Sequence, residues 1–442
     1  MELTSIKPLG SGGFGNVDLV RDDEGREFAR KTFSVNQPMP DELVPNVRKR
    51  FIKEAKLQSG MKHRNIVPIL HMDLEGDSPW YLMPVADTSL DKEVAADRHL
   101  GGAYKLAITD IISGLEELHL MQMVHRDLKP QNVLKFTDYK SGNPYYAISD
   151  FGFISLKDSR LSQLTYTGMK KGADYYTAPE IAKDLRAASA QTDIFSLGCV
   201  LHDMVGTEDR VPCTEIREDG PFGALLLNCT RGRPERRFKS VAIVRDILLS
   251  IDVSAPPVVD KDIGKIADKL DEGEALSSEE IEAIAELVED NPDSDDARVL
   301  LRKLNIEAID SFFSINVGAS KRIGLQFAEW ISQRSAFDFD FCDVLAGRAE
   351  AFFKHGDFDL QTEIAMGMLI LGASHNRWYV ERKFMALCNE EIPEGLAKRL
   401  AVELRARGNG VCKDFDHLEA SIGADRHALH PLIVEALKDI CE

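Results

Sequence analysis

Residues 124–134 read "VHRDLKPQNVL", and they place an aspartate, a lysine and an asparagine within six positions: Asp127, Lys129 and Asn132. Val124, Leu128, Val133 and Leu134 flank them with apolar anchors. Eighteen residues after Asn132 comes "SDFG", with Asp150. Transfer of a phosphoryl group asks a protein for positioning and charge neutralisation and for little covalent work. A carboxylate must stand near the attacking hydroxyl, and Asp127 can supply it. A divalent cation of the Mg²⁺ type needs oxygen ligands, which Asn132 and Asp150 carry. A cation beside the moving phosphoryl is available in Lys129. Each of these side chains then serves a different oxygen of one reaction.

Nearer the start, "LGSGGFGNV" at 9–17 fits G-x-G-x-x-G through Gly10, Gly12 and Gly15. Dinucleotide-binding folds use the same letters, but there the glycines open a helix. Here they run into the alternating "NVDLV", so a glycine-rich turn between two strands is expected, free of Cβ atoms and able to lie over a triphosphate. Val17 would roof a base. Lys31, in "EFARK", falls on the next strand and can reach back under the turn. Glu54 on a following helix is its candidate partner near phosphate oxygens, although an ordinary surface contact fits a lone Lys and Glu equally well.

The elements that must position these groups follow from periodicity. "LTSIKPLG", "FGNVDLVRD" and "REFARKTF" alternate as strands, with "DDEG" as a turn. Residues 47–62 have helical spacing, and "IVPILHMD" and "PWYLMPVA" read as two further strands. From about residue 90 the pattern is helical, with short strands near 132–136 and 145–149. A β-rich lobe followed by an α-rich lobe is an α+β design. The paired prolines in "IDVSAPPVVDKD", 251–262, mark a linker. Residues 263–442 read as helices only, and Ser277 with Glu280 forms a capping box. The triplet D-F-D recurs at 338–340, 357–359 and 414–416, at offsets of 19 and 57. With Asp as cap and Phe as anchor, this suggests a helix every 19 residues, so a helical repeat array stands beside an irregular bundle as the expected form.

Composition narrows the classes. The chain has 442 residues and 54 basic against 73 acidic ones. Residues 251–442 hold 21 basic and 38 acidic residues, leaving 33 and 35 for residues 1–250. The acidic part would repel phosphates, so nucleic acid is not an expected partner. No apolar run approaches a membrane span. The seven cysteines are scattered without a C-x-x-C pair, which argues against a zinc knuckle or a disulfide scaffold and fits a reducing, cytoplasmic setting.

Taken in order, "GSGGFGNV", "FARK", Glu54, "HRDLKPQN", "DFG" (150–152), "APE" (178–180) and "DIFSLG" (193–198) resemble the eukaryotic-type serine/threonine protein kinase family over residues 1 to about 250. The resemblance implies a bilobal protein kinase fold, a β-rich N-lobe and a helical C-lobe with ATP between them, followed by an all-α domain. It implies Asp127 as catalytic base with Lys129 beside it, and Asn132 and Asp150 as Mg²⁺ ligands. It implies Lys31 and Glu54 as the ATP-orienting pair. Leu9, Val17, Ala29 and Leu134 would sandwich adenine, with Met83 as gatekeeper and Pro84, Val85 and Ala86 as hinge. Glu180 would pair with Arg237, and Asp193 would brace the catalytic loop. Lys129 resembles the serine/threonine branch. Arg126 implies a phosphate on Ser155, Ser159, Ser162, Thr165, Tyr166 or Thr167. The sequence departs from the family at Ala173, where a Thr is usual, at Gln58, where an apolar residue is usual, and at Pro84. Partners so implied are ATP, protein substrates and a protein bound by the acidic helical domain. A catalytically weak or inactive scaffold and a small-molecule kinase are the alternatives.

Overall fold

Strand β1 (Leu3–Gly12) turns directly into β2 (Gly15–Asp22), with Gly12 opposite Gly15 and only Gly13 and Phe14 at the tip. The glycine motif is therefore a hairpin and opens no helix. The structure is a computed structural model that describes residues 2–151, 175–253, 258–333 and 337–441. The chain divides into two compact units, Met1–Leu248 and Leu249–Glu442.

In the first unit β1 and β2 continue into β3 (Glu27–Phe33), β4 (His71–Asp73) and β5 (Trp80–Met83). The antiparallel order is β1-β2-β3-β5-β4, and Ala29 lies opposite Met83. Two register shifts in β1, one between Pro8 and Gly10, break its ladder where the chain approaches the glycine turn. Helix α1 (Val44–Ser59) starts with a proline in its first turn and buries Val47, Phe51 and Ala55 against the sheet. A second sheet is formed by β6 (Thr88–Ser89), β7 (Val133–Thr137) and β8 (Pro144–Ile148).

Helix α2 (Leu90–Ala96) leads to α3 (Tyr104–Leu120), whose Ile108, Ile111, Ile112 and Leu115 are fully buried. Gly114 lets α3 approach the loop before β8's partner segment, since a Cβ there would lie 2.6 Å from the Asn65 carbonyl. Helix α4 (Ala190–Val205) opens with a capping box of Ser189 and Thr192 and is buried along most of its length. Helices α5 (Gly223–Thr230) and α6 (Val241–Ser250) complete the helical part.

The second unit contains α7 (Lys261–Glu272), α8 (Ser278–Asp290), α9 (Asp295–Lys303), α10 (Ile306–Ile315), α11 (Val317–Ile331) and α12 (Phe339–His355). It continues with α13 (Phe358–His375), α14 (Trp378–Leu387), α15 (Glu394–Arg407), α16 (Cys412–Ile422) and α17 (Pro431–Cys441). The capping box at Ser277 and Glu280 is formed. From α12 onward the helices begin at 339, 358, 378, 394, 412 and 431, intervals of 16 to 20 residues. Helices two apart pack on each other: α11 on α13, α13 on α15 and α15 on α17 form one series, α10 on α12, α12 on α14 and α14 on α16 the other, and consecutive helices pack as well from α10 to α14 and between α16 and α17. This is the stacking of a helical array.

The D-F-D triplets do not explain that stacking. Asp357 caps α13 by accepting from the Leu360 amide, but Asp338 makes no side-chain cap bond and Asp414 lies inside α16. Phe415 is buried, whereas Phe339 and Phe358 are half exposed at helix starts and anchor nothing in the core. Two of the seven cysteines, Cys412 and Cys441, are joined by a disulfide that their spacing did not announce; Cys199, Cys213, Cys229, Cys342 and Cys388 form no disulfide. The paired prolines 256–257 lie outside the described residues, as do Ala173 and the candidate phosphorylation sites between 155 and 167. Among the described residues no helix is long and apolar enough to cross a membrane.

Candidate active site

Asp193, fully buried on α4, holds the loop that carries Asp127. Its carboxylate accepts from the His125 amide at 2.9 Å and the Arg126 amide at 2.8 Å, and lies 2.8 Å from His119 Nε2. His125 is also buried. Its Nε2 lies 3.0 Å from the Ser149 carbonyl, and its ring packs on Phe151 with centroids 5.3 Å apart. Arg126 and Asp150 both take positive φ, 70° and 62°. Such values are costly away from glycine and persist where surrounding bonds impose them. The loop and the start of the Asp150 segment are thus tied to each other and to α4.

Asp127 faces two of its own neighbours. Lys129 Nζ lies 2.7 Å from Asp127 Oδ2, and Asn132 Nδ2 donates to the Asp127 carbonyl at 2.8 Å and to Oδ2 at 3.1 Å. The amide nitrogen of Asn132 is used here, so the oxygen of the same amide is the atom able to meet a cation. Across the site Lys31 Nζ lies 2.9 Å from Asp150 Oδ1. Burial alone would raise the Asp150 carboxyl, but the Lys31 ammonium outweighs it, and the pKa falls to about 2. Burial likewise opposes the Lys31 charge, and Asp150 reverses that, so Lys31 stays above its ordinary range. Asp150 is therefore ionised at neutral pH, the form a hard cation requires. Among the described residues no three His, Cys, Asp or Glu side chains gather to hold a metal unaided. Asn132 and Asp150 would need phosphate or water oxygens to complete a shell, as Mg²⁺ sites on nucleotides do.

Above them the glycine turn is pinned from the side. Asn36 Nδ2 donates to the Gly12 carbonyl at 2.8 Å and its amide donates to the Gly13 carbonyl at 3.0 Å. Gly10 and Gly12 border open space, while a Cβ on Gly15 would come within 3.1 Å of the Thr32 carbonyl. Val17, Ala29, Met83, Ala86 and Leu134 share one apolar cluster, a cradle suited to a flat base. Leu9 is exposed and is not part of that cluster. Val85 follows Met83 in the segment between β5 and β6.

Further along the chain Arg237 clasps Glu180 through two bonds of 2.8 Å, and Thr192 donates to the same carboxylate at 2.9 Å. A cavity of about 740 Å³ begins at Pro130 and Gln131, just past Lys129, and is lined also by Asp91, Tyr176, Asp203 and Arg210.

Residues 3–221 match the family model of the protein kinase domain. Serine/threonine-protein kinase Pkn1 of Myxococcus xanthus is 27% identical over 265 residues, 55% of this chain and 37% of that protein. PrkC of Bacillus subtilis, a serine/threonine-protein kinase, is 32% identical over 203 residues, 45% of this chain and 30% of its own length. Mouse serine/threonine-protein kinase PAK 1 is 30% identical over 260 residues, 57% of this chain and 43% of that protein. Residues 3–221 form a protein kinase domain of the serine/threonine family. The chain spans between 30% and 43% of the length of these relatives.

Within the kinase domain one expected contact is not formed. Glu54 pairs with Arg50, one turn earlier on α1, at 2.8 Å, and Lys31 pairs with Asp150. The reason lies in burial and reach. Glu54 is largely enclosed, its carboxyl is pushed up to about 7 chiefly by burial, and Arg50 is the cation on its own helix face. Gln58, where an apolar residue is usual, is buried with its Nε2 donating to the Val67 carbonyl at 2.7 Å. It ties α1 to the segment before β4.

Asn36, His119 and Gln58 were not legible as site-supporting residues. His119 sits six residues before His125 with no motif around it, and Asn36 lies in an irregular stretch, so only the fold brings them to Asp193 and the glycine turn.

Proposed function

We propose that the kinase domain transfers the γ-phosphoryl group of ATP to Ser or Thr hydroxyls of protein substrates, its own chain included. The observation that carries this reading is the arrangement at Asp127: a carboxylate with Lys129 at 2.7 Å and Asn132 at 3.1 Å, on a loop fixed by buried Asp193. Asp127 would orient the substrate hydroxyl and take its proton. Lys129, now on Asp127, would be shared with the transferring group. Lys31 would hold the phosphate chain beneath the glycine turn, and Val17, Ala29, Met83, Ala86 and Leu134 would enclose adenine. Mg²⁺, held by Asp150 and Asn132, would supply neutralisation of phosphate charge. The cavity past Gln131 lies where residues flanking the phosphoacceptor would pass, which supports a polypeptide substrate over a small molecule.

We further propose that the acidic helical unit recruits a protein substrate or regulator, as stacked helix pairs commonly do. A second reading rests on the Lys31–Asp150 and Arg50–Glu54 pairs: a kinase-like scaffold in which these contacts persist and nothing is transferred. Incubation of the full chain with Mg²⁺ and γ-labelled ATP, with and without a generic protein acceptor, distinguishes them. Label on serine or threonine of chain or acceptor is expected. ATP binding with no label above that of Asp127→Asn would overturn the transferase reading in favour of the scaffold.

A further inference from the structure

One covalent feature of the helical unit has no part in phosphoryl transfer. Cys412, the first residue of α16, is bonded to Cys441, the last of α17, with Cα atoms 5.7 Å apart and a separation of 29 positions in sequence. A chain with five other cysteines left free is not built on disulfides, so this bond is no scaffold. Its surroundings set it apart from four of the five remaining thiols, Cys213 alone being partly buried as well. Cys199, Cys229, Cys342 and Cys388 are buried, and burial pushes Cys199, Cys342 and Cys388 up to about 12, where thiolate is scarce. Cys412 and Cys441 are both only partly buried, open to a small reagent.

The bond also lies at the less buried end of its helix, where Ile440 and Cys441 are only partly buried against the core. Helix α17 buries Ile433, Ala436 and Leu437, and it packs chiefly on α15. Past Leu437 no residue of α17 is buried, and the Arg405–Asp439 ion pair there is exposed. On the other side, Cys412 follows "RGNGV", in which Gly408 takes φ of 63°. That backbone can adjust to either state of the cysteine.

We propose that Cys412 and Cys441 are a reversible dithiol–disulfide pair that exchanges with a low-molecular-weight disulfide and, when closed, fixes the last turn of α17 to the start of α16. In the closing reaction one cysteine thiolate attacks the external disulfide, forming a mixed disulfide and expelling one small thiolate. The second cysteine thiolate attacks the protein sulfur of that mixed disulfide and expels the other. Two protein thiols are oxidised, one external disulfide is reduced to two thiols, and the two protons pass to the released thiolates. Reduction runs the same steps backwards. The open state keeps the apolar face of α17 docked and loosens residues 438–441.

The test equilibrates the full chain in oxidised or reduced glutathione and counts thiols after denaturation. Five thiols are expected in the oxidised sample and seven in the reduced one, with the bond mapped by mass spectrometry to 412 and 441. Amide exchange over 438–441 should then rise about tenfold or more on reduction, while α12 and α13 stay unchanged. Melting should shift down by about 5–15 °C for the transition of the helical unit. Cys412→Ser and, as a second variant should that one misfold, Cys441→Ser should behave as the reduced protein in both buffers. Seven thiols in oxidised glutathione, a bond to Cys213, or exchange over 438–441 that ignores the redox buffer would each overturn the proposal.

Discussion

The two sides of the kinase site are held by different means. On the Asp127 side a fully buried carboxylate, Asp193, fixes the loop through the backbone amides of His125 and Arg126. On the Lys31 side the contacts are between flexible charged side chains, Lys31 with Asp150 and Arg50 with Glu54, and each cation could trade acceptors by rotating a few bonds. Backbone clamps give one geometry. Long-chain ion pairs give several of similar energy, because the Coulomb gain is offset by desolvation and by rotamer entropy. The catalytic loop is therefore the preorganised part, and the nucleotide-orienting pairs are the part able to change with occupancy.

The most damaging change on the clamped side is Asp127→Asn. It keeps shape and removes the carboxylate, so phosphoryl transfer should fall about 10²-fold or more with ATP affinity retained. Turnover near that of the parent chain would mean that the preorganised loop serves another purpose. Asp193→Ala should follow. It strips the acceptor from two buried amides, lowering stability by about 3 kcal/mol in denaturant titrations and turnover by roughly 10-fold to 100-fold. A variant with parental stability would show that the loop is not held from α4.

The adjustable side is best probed by pH. The Glu54 carboxyl is raised to about 7 by burial, while in the unfolded chain it titrates near 4.3. A raised carboxyl favours the folded protein when protonated. Its contribution is complete below about pH 4.3 and is lost as pH rises towards about 7, to a total on the order of 3 kcal/mol. Urea midpoints measured from pH 5 to 8 should fall more steeply for the parent chain than for Glu54→Gln. Parallel profiles would place the titration elsewhere. Above pH 7 the ionised Glu54 becomes able to compete with Asp150 for Lys31, so activity should rise over the same range.

What the sequence made legible follows the same division. Asp127, Lys129 and Asn132 are near neighbours in the chain, so their meeting needed no knowledge of the fold. Asp193 and the Glu180–Arg237 pair are distant, yet each is fixed by buried backbone or bidentate geometry that the family resemblance implies and the structure holds. Lys31 with Glu54 depends on the rotation of α1, which periodicity does not specify to within the reach of a side chain. In the helical unit the 19-residue offset came near the interval between helices only from α12 onward, since α9, α10 and α11 begin 11 residues apart, and the packing role of Phe339 and Phe358 was not readable. Both are the first residues of their helices and are half exposed, whereas Leu90 and Val241 at the same position of α2 and α6 are buried, so position alone did not decide it. The bond between Cys412 and Cys441 joins residues 29 apart, and no spacing rule covers such a pair.

The smallest expected effect tests where α1 is anchored. Gln58 buries its amide and donates to the carbonyl of fully buried Val67 at 2.7 Å. Gln58→Met is close in volume and supplies the apolar side chain usual in the family. Removing the donor leaves the Val67 carbonyl without this partner, at a cost of about 1–3 kcal/mol, while the added apolar surface returns roughly 1 kcal/mol. The balance should be a loss near 1 kcal/mol, read as a lower urea midpoint with an unchanged slope. Because Gln58 and Glu54 share a face of α1, a looser anchor should also let the helix turn, and the Glu54-linked pH dependence should flatten. A Gln58→Met protein more stable than the parent, with the pH profile intact, would show that the position behaves as an ordinary apolar one and that Arg50 alone sets the placement of Glu54.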